Sequence, residues 1–391
     1  VTQGLQEHIN LGLAFAKARR QEDAIREFER ALALAPGDGE VHFHLGVLYA
    51  ATGRSDEAVA ELGKALDSNP MKLEALLKLG NLHAAGGRHE EAVKDYRRAL
   101  EISPRDPGIR NALGDLYYHQ ERAEDAMAQY RASLEARPEA PDIHLKLGFL
   151  LEGGGHLAEA VAEYELALAQ DPRQAGLHGV LGQACAALGR DDEAVLHFQD
   201  ALKINPGEVG ICASLGKALM RLGRDEDALP WMLRAVDGMP EDPELQRLLG
   251  RLHAERGDSE QALACYRQVL ELAPGQGSAH SLLGYIHDQE GRVEEAIEEY
   301  ALAVSEDPED VTAHDALGAI HYRRGEHEKA LGSLRRVVAL SPQKPEAFTR
   351  IGNICLKLGR KAEALAAWER ALELDPTNTI VRNNLKALGR G

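Results

Sequence analysis

The sequence predicts an all-α protein, a solenoid of helix-turn-helix repeats, and three observations carry the prediction. A phrase built on "LG" recurs at Gly12, Gly46, Gly80, Gly114, Gly148, Gly182, Gly216, Gly250, Gly284, Gly318 and Gly352, each 34 residues after the last, with no insertion. Twelve residues beyond each glycine stands an alanine, from Ala24 to Ala364, and twelve further a proline, from Pro36 to Pro376. Between alanine and proline, small and aromatic residues such as Ala24, Phe28 and Ala31, or Ala160, Tyr164 and Ala167, fall on one helical stripe by the three-and-four rule.

Each copy reads as two helices. The first ends near a glycine such as Gly53, Gly87 or Gly189, and the second ends before the proline, which cannot continue a helix. Eleven units follow, at 5–38, 39–72, 73–106, 107–140, 141–174, 175–208, 209–242, 243–276, 277–310, 311–344 and 345–378. Residues 379–391 form a capping helix and tail, with Ile380, Leu385 and Leu388 expected to face back and Lys386 standing where glycine would be. A glycine inside a helix costs about 1 kcal/mol relative to alanine, so its retention implies close helix approach. A bulkier residue at Ala160 would overpack the seam by roughly 1 to 3 kcal/mol. Pro230 falls inside the second helix of the seventh unit, where a kink is expected. Gly153, Gly154 and Gly155, with Gly176, Gly179 and Gly182, mark the middle of the chain as its most deformable part, although sequence drift alone would also leave glycines there.

Composition bounds the function. An apolar fraction of 44% suffices for a sizeable core, and a charged fraction of 28% is ordinary for a soluble protein. The net charge of −18 argues against nonspecific nucleic-acid binding, which needs a basic face. Basic partners would be steered toward such a chain, unless the acids only solvate outer helix faces. Cys185, Cys212, Cys265 and Cys355 form no C-x-x-C pair and read as buried thiols. No apolar run reaches the roughly 18 residues that span a bilayer. The chain opens on Val1, which fits an excerpt or processed form, so the cytoplasmic location expected here would become periplasmic if a leader had been removed.

Catalytic signatures are missing. No G-x-S-x-G, H-E-x-x-H, P-loop or G-x-G-x-x-G occurs, and neither catalytic residues nor a cofactor is expected. His253, His287 and His321 share one repeat position, but helices stacked roughly 8 to 10 Å apart cannot bring them to one metal. They are expected as packed, hydrogen-bonded core histidines, and His42 and His44, two apart on a helix, as pointing to different faces.

The L-G, A, aromatic and P offsets resemble the tetratricopeptide repeat over residues 5–378. Departures are local: Arg19 and Glu121 replace the turn glycine, Leu62 and Leu334 the second-helix aromatic, and Val269 and Val337 its small residue. The resemblance implies a right-handed superhelical solenoid in which each hairpin completes its neighbour's core. It also implies that the first helices line a concave groove for protein or peptide segments, helical or extended, with the second, fifth, ninth, twelfth and thirteenth places facing it. In the first five units the fifth and ninth places read Ile9 with Leu13, Phe43 with Val47, Leu77 with Asn81, Asn111 with Asp115, and Leu145 with Phe149. Phe43 and Phe149 are either partner anchors or wall residues leaning on neighbouring helices. Lys217, Arg221, Arg247 and Arg251 make a basic spot for an acidic segment unless Glu244 and Glu255 pair with them, and Tyr285 and Tyr322 add contact surface. The family's carboxylate clamp, Lys and Asn at the fifth and ninth places, is not matched, since Asn81 follows Leu77 and Asn353 follows Thr349. Asn81, Asn111 and Asn353 also fail to form a continuous asparagine ladder.

The expected function is a non-enzymatic scaffold or adaptor, by analogy in bacterial pilus, motility, secretion or envelope machinery. A substrate-recruiting or regulatory arm of a larger enzyme such as a glycosyltransferase, and a self-assembling coat or filament protein, are the alternatives.

Overall fold

The computed structural model describes residues 2–388, and among these residues it contains 23 α-helices and no strand. Two compact units divide the chain, Val1–Arg190 and Asp191–Gly391. The first holds α1 (Thr2–Lys17), α2 (Gln21–Leu34), α3 (Gly39–Ala51), α4 (Ser55–Ser68), α5 (Leu73–Ala85), α6 (His89–Ile102), α7 (Pro107–His119), α8 (Ala123–Ala136), α9 (Pro141–Gly153), α10 (Leu157–Gln170) and α11 (Ala175–Ala187). The second holds α12 (Asp191–Ile204), α13 (Val209–Arg221), α14 (Asp225–Gly238), α15 (Pro243–Glu255), α16 (Ser259–Leu272), α17 (Gly277–Gln289), α18 (Val293–Glu306), α19 (Val311–Arg323), α20 (His327–Leu340), α21 (Pro345–Lys357), α22 (Lys361–Leu374) and α23 (Thr379–Ala387). Within each unit, odd-numbered helices pair with the even-numbered helix that follows, and each second helix also touches the next first helix.

Local chemistry sets the helix ends. Asp38, Asp106, Asp242 and Asp310 cap first helices by accepting hydrogen bonds from backbone amides of the opening turn, and Asn378 caps α23 in the same way. The turn inside each hairpin needs one residue in the left-handed region. Glycine fills that place at Gly53 and Gly87, whereas Arg19 and Glu121 hold it at φ 56° and 59°, against the steric preference of a side chain.

The seam glycines are explained by what lies beneath them. A Cβ on Gly80 would stand 2.7 Å from the Tyr96 ring, on Gly114 2.6 Å from Tyr130, and on Gly148 2.3 Å from Tyr164. The partner is always sixteen residues on, because the second helix presses its large residue against the middle of the first. At Gly216 that partner is the thioether of Met232, 2.4 Å away, a substitution for the aromatic that the repeat pattern did not mark. The seam alanines, including Ala24, Ala58, Ala160 and Ala364, are completely buried, so a larger side chain there has no space.

A second brace was not anticipated. The His42 ring lies 2.5 Å from a Glu61 carboxylate oxygen through Nδ1 and 2.8 Å from the Pro36 carbonyl through Nε2, and His144 repeats the arrangement with Glu163 and Pro138 at 2.6 and 2.9 Å. Each ring thus ties the turn before its own helix to the helix after it. The cue in sequence is a histidine followed nineteen residues later by glutamate, which recurs as His8 with Glu27 and His280 with Glu299. His44, by contrast, stacks on Phe28 at 5.4 Å.

Helix α14 is continuous through Pro230. In α23 the expected inward set needs one correction: Val381 and Leu385 are buried and Leu388 partly so, while Ile380 is exposed. The helical period selects Val381, Leu385 and Leu388 as i, i+4 and i+7, which places Ile380 off the buried stripe. Residues 389–391 of the expected tail lie outside the described residues. All four cysteines are buried, and burial raises the thiols of Cys212, Cys265 and Cys355. Among the described residues no helix is long and apolar enough to cross a membrane.

Candidate partner-binding faces

The first helices carry the candidate residues, and the seam decides how several of them are used. With glycine at the eighth place, the ring from the second helix passes under the first and its polar tip emerges beside the ninth place. The Tyr96 hydroxyl donates to Asn81 at 2.6 Å, the Tyr130 hydroxyl to Asp115 at 2.6 Å, and the Trp368 indole N–H to Asn353 at 3.2 Å. Asn81 and Asp115 therefore serve their own core as well as the face. Burial, and then the bond to Asp115, raise the Tyr130 phenol well above its ordinary range.

In the first unit the apolar residues separate into wall and open surface. Phe43 is 8% exposed, packed in the core with the Lys72 ammonium 4.1 Å above its ring, so it is wall and not an open anchor. Its fifth-place side chain leans toward the turn before α5, where Lys72, the last residue of the same repeat, closes over it. Ile9, Val47, Leu77 and Leu145 are half-buried, and Leu13 is exposed. Asn111 is half-buried, and its Oδ1 finds no hydrogen-bond partner among the described residues. Phe149 is 44% exposed, and Tyr118, a residue that attention to the fifth and ninth places passed over, is 49% exposed. The two flank a cleft of about 220 Å³ with His119, Asp115, Tyr130 and Lys146. Inside it the Lys146 ammonium bonds Asp115 at 2.6 Å, and Phe149 meets Tyr164 edge-on at 5.6 Å between centroids.

The basic spot of the second unit carries its own counter-charges. Arg221 holds Asp191 through Nε at 3.0 Å to both carboxylate oxygens, Arg247 grips Glu244 with two bonds of 2.8 Å, and Arg251 stands 3.5 Å from Glu255. Lys217 is half-buried on α13. Burial, and then a hydrogen bond with Asp225, raise the Glu255 carboxyl. Tyr285 and Tyr322 are exposed. A further cleft, of about 260 Å³, opens beside Tyr322 and is lined by Ala319, Arg323, Leu334, Arg350 and Asn353.

The shared-position histidines behave unequally. His253 lies 3.4 Å from Asp258 and His321 2.9 Å from Glu326, whereas the buried His287 has no partner for Nδ1 among the described residues, against the expectation of a hydrogen bond. Burial lowers the His287 pKa accordingly. Among the described residues no cluster of three His, Cys, Asp or Glu side chains converges as a metal site.

Sequence models of the tetratricopeptide repeat match residues 9–70, 49–107, 145–209 and 247–311, with further models of the same repeat at 82–148 and 192–252, at 313–348 and at 345–378. The first model alone covers more than half of the chain. No curated protein matches it. Among solved structures, YrrB, described as a TPR protein with an unusual peptide-binding site, is 26% identical over 48% of this chain and 96% of its own, with a TM-score of 0.45. Naa15/Naa10 bound to HypK-THB is 16% identical over 97% of this chain and 65% of its own, slightly under two thirds, with a TM-score of 0.50, a likeness of fold alone. A tetratricopeptide repeat protein from Parabacteroides merdae is 18% identical over 63% of this chain and 97% of its own, with a TM-score of 0.47.

Proposed function

Because the chain belongs to the tetratricopeptide repeat family, we propose that it is a non-enzymatic scaffold that seats apolar-anchored segments of partner proteins on its first helices, with Phe149 and Tyr118 as anchors in the first unit. The observation that carries the reading is that these two large rings are left half open beside a cleft in which Lys146, Asp115 and Tyr130 are already matched to one another, Lys146 to Asp115 and Asp115 to Tyr130. An open ring beside satisfied polar groups favours an apolar side chain over water. Covering both rings would yield about 3 to 6 kcal/mol gross, at about 1.5 to 3 kcal/mol each. Association costs of about 4 kcal/mol or more come off that, so the contact is weak unless the segment adds backbone and polar bonds.

The test is selection of peptides from a random library on the intact chain, followed by calorimetric titration of the best binders. Phe149→Ala and Tyr118→Ala are each expected to weaken binding by about tenfold or more, the loss of one apolar contact. Selected peptides that bind the double variant as tightly as the parent would remove Phe149 and Tyr118 from the site.

A further inference from the structure

The two clefts occupy the same repeat positions. Ala319, Tyr322, Arg323, Leu334, Arg350 and Asn353 stand six repeats after Asp115, Tyr118, His119, Tyr130, Lys146 and Phe149. In the first unit, the cation on the second of the two first helices, Lys146, is met by a carboxylate at the ninth place, Asp115. In the second unit, alanine replaces that carboxylate and Arg350 takes the place of the lysine. Arg350 reaches instead to Asp315, one helical turn earlier, at 2.6 Å, and Asp315 is shared with Lys344 at 2.8 Å. One carboxylate thus faces two cations.

Arg323 is anchored by Asp288, and both arginines remain about half exposed while their carboxylates are mostly covered. A guanidinium has five N–H donors, so a single anchoring bond orients it and leaves donors for a guest. Lys357 adds a further positive charge, its ammonium 4.5 Å from the Tyr322 ring centroid. The cleft is lined by two arginines and no carboxylate, in a chain of net charge −18. Its floor is apolar, formed by Ala319, Leu334 and Ile354, because leucine has replaced the tyrosine whose ring and hydroxyl fill the equivalent space near Asp115.

The geometry points to a second binding site here, for a partner segment that places the side chain of an internal aspartate or glutamate between Arg323 and Arg350 and an aliphatic neighbour on the Leu334 and Ile354 floor. Charge complementarity selects the acid, since two oriented guanidinium groups without a carboxylate in the cleft match its oxygens. The small floor selects an aliphatic neighbour rather than a ring. This site deepens the scaffold reading and rests on it, but it lies on other residues than Phe149 and Tyr118, so either site can fail while the other stands.

The probe is a fluorescein-labelled peptide of alternating glutamate and leucine with an amidated C terminus, followed by anisotropy on the intact chain. Binding is expected for this peptide, weakening as salt rises, and not for its glutamine–leucine or lysine–leucine counterparts. Ala319→Asp restores the carboxylate found in the first unit and is expected to reduce binding about tenfold or more, as is Arg350→Gln, the scale of a lost charge-assisted bond. Asp115→Ala, which frees Lys146, is expected to add a second, weaker site. Circular dichroism melts are to establish that each variant is folded before its binding is read, and the two cleft variants test the site independently. Equal binding by Ala319→Asp and Arg350→Gln would overturn the proposal. So would equal binding of the glutamine–leucine peptide, or binding that requires a free C-terminal carboxylate.

Discussion

The cleft between α7 and α9 and the cleft between α19 and α21 are built at identical repeat positions, yet one holds its cation's carboxylate inside the cleft and the other ties its arginines to carboxylates outside the lining. Five exchanges separate them: Asp115 against Ala319, His119 against Arg323, Tyr130 against Leu334, Lys146 against Arg350, and Phe149 against Asn353. The helices have the same lengths and fall at the same repeat positions in both places, so the side chains change while the register is kept. The seam beneath each cleft changes with them.

The strongest way to break the comparison is at the seam glycine. A methyl on Gly114 would meet the stiff Tyr130 ring at 2.6 Å, whereas on Gly318 it would meet the Leu334 side chain at 3.0 Å, which can turn aside. Gly114→Ala is expected to lower stability by about 2 kcal/mol, overpacking outweighing the gain in helix propensity. Gly318→Ala is expected to be neutral or stabilising by up to about 1 kcal/mol. Urea denaturation of both variants checks the difference, and equal effects would mean that the two seams are packed alike.

Next in size is Asp115→Ala, which leaves the Tyr130 hydroxyl without its acceptor and should cost about 1 kcal/mol. The same loss is not expected from Ala319→Asp, since Leu334 offers no hydroxyl. A smaller effect separates the clefts in alkali. The Tyr130 phenol is raised in the folded state, so its contribution is fully present below the unfolded value of about 10 and is lost as pH rises beyond it toward the folded value. Tyr266 and Tyr300, pushed up to about 12 by burial, act in the same direction. Thermal melts between neutral pH and pH 11 should therefore fall, and fall less in Tyr130→Phe, while Leu334 variants leave the slope unchanged. The smallest expected change is Arg247→Ala: its pair with Glu244 lies at the surface, so stability should move by about 0.5 kcal/mol or less. Loss of acidic-peptide binding in that variant would shift the site from Arg350 to the Arg247 cluster.

Much of this was legible from the letters. A fixed glycine, alanine and proline at constant offsets define two helices, a seam and a turn, and even Arg19 and Glu121, standing for glycine, adopt the left-handed turn. The face was less legible. Phe43 and Phe149 look equivalent as inward aromatics, but Phe43, at a fifth place, packs into the core with Lys72 over its ring, whereas Phe149, at a ninth place, stays exposed. The arginines of the second cleft gave no signal one repeat at a time, because Arg323 and Arg350 reach back to carboxylates 35 residues earlier. Ile380 was misplaced because it stands one residue off the stripe that Val381, Leu385 and Leu388 make.

The polar tips of the seam residues have one more consequence, visible when the repeats are treated as an alignment of the chain with itself. Asn81, Asp115 and Asn353 accompany Tyr96, Tyr130 and Trp368, which carry a donor, while Leu13, Val47, Lys217 and Ala319 accompany Phe28, Leu62, Met232 and Leu334, which carry none at that end. Gln183 beside Phe198, Arg251 beside Tyr266 and Phe149 beside Tyr164 depart from this pairing, and at the last of these the Tyr164 hydroxyl turns to Glu152 instead, at 2.7 Å. At Asn81, Asp115 and Asn353 the ninth place is thus tied to the ring beneath it: trading the acceptor for a new guest contact strands a buried donor, so the exchange is easier once the hydroxyl or indole N–H in the core has been lost.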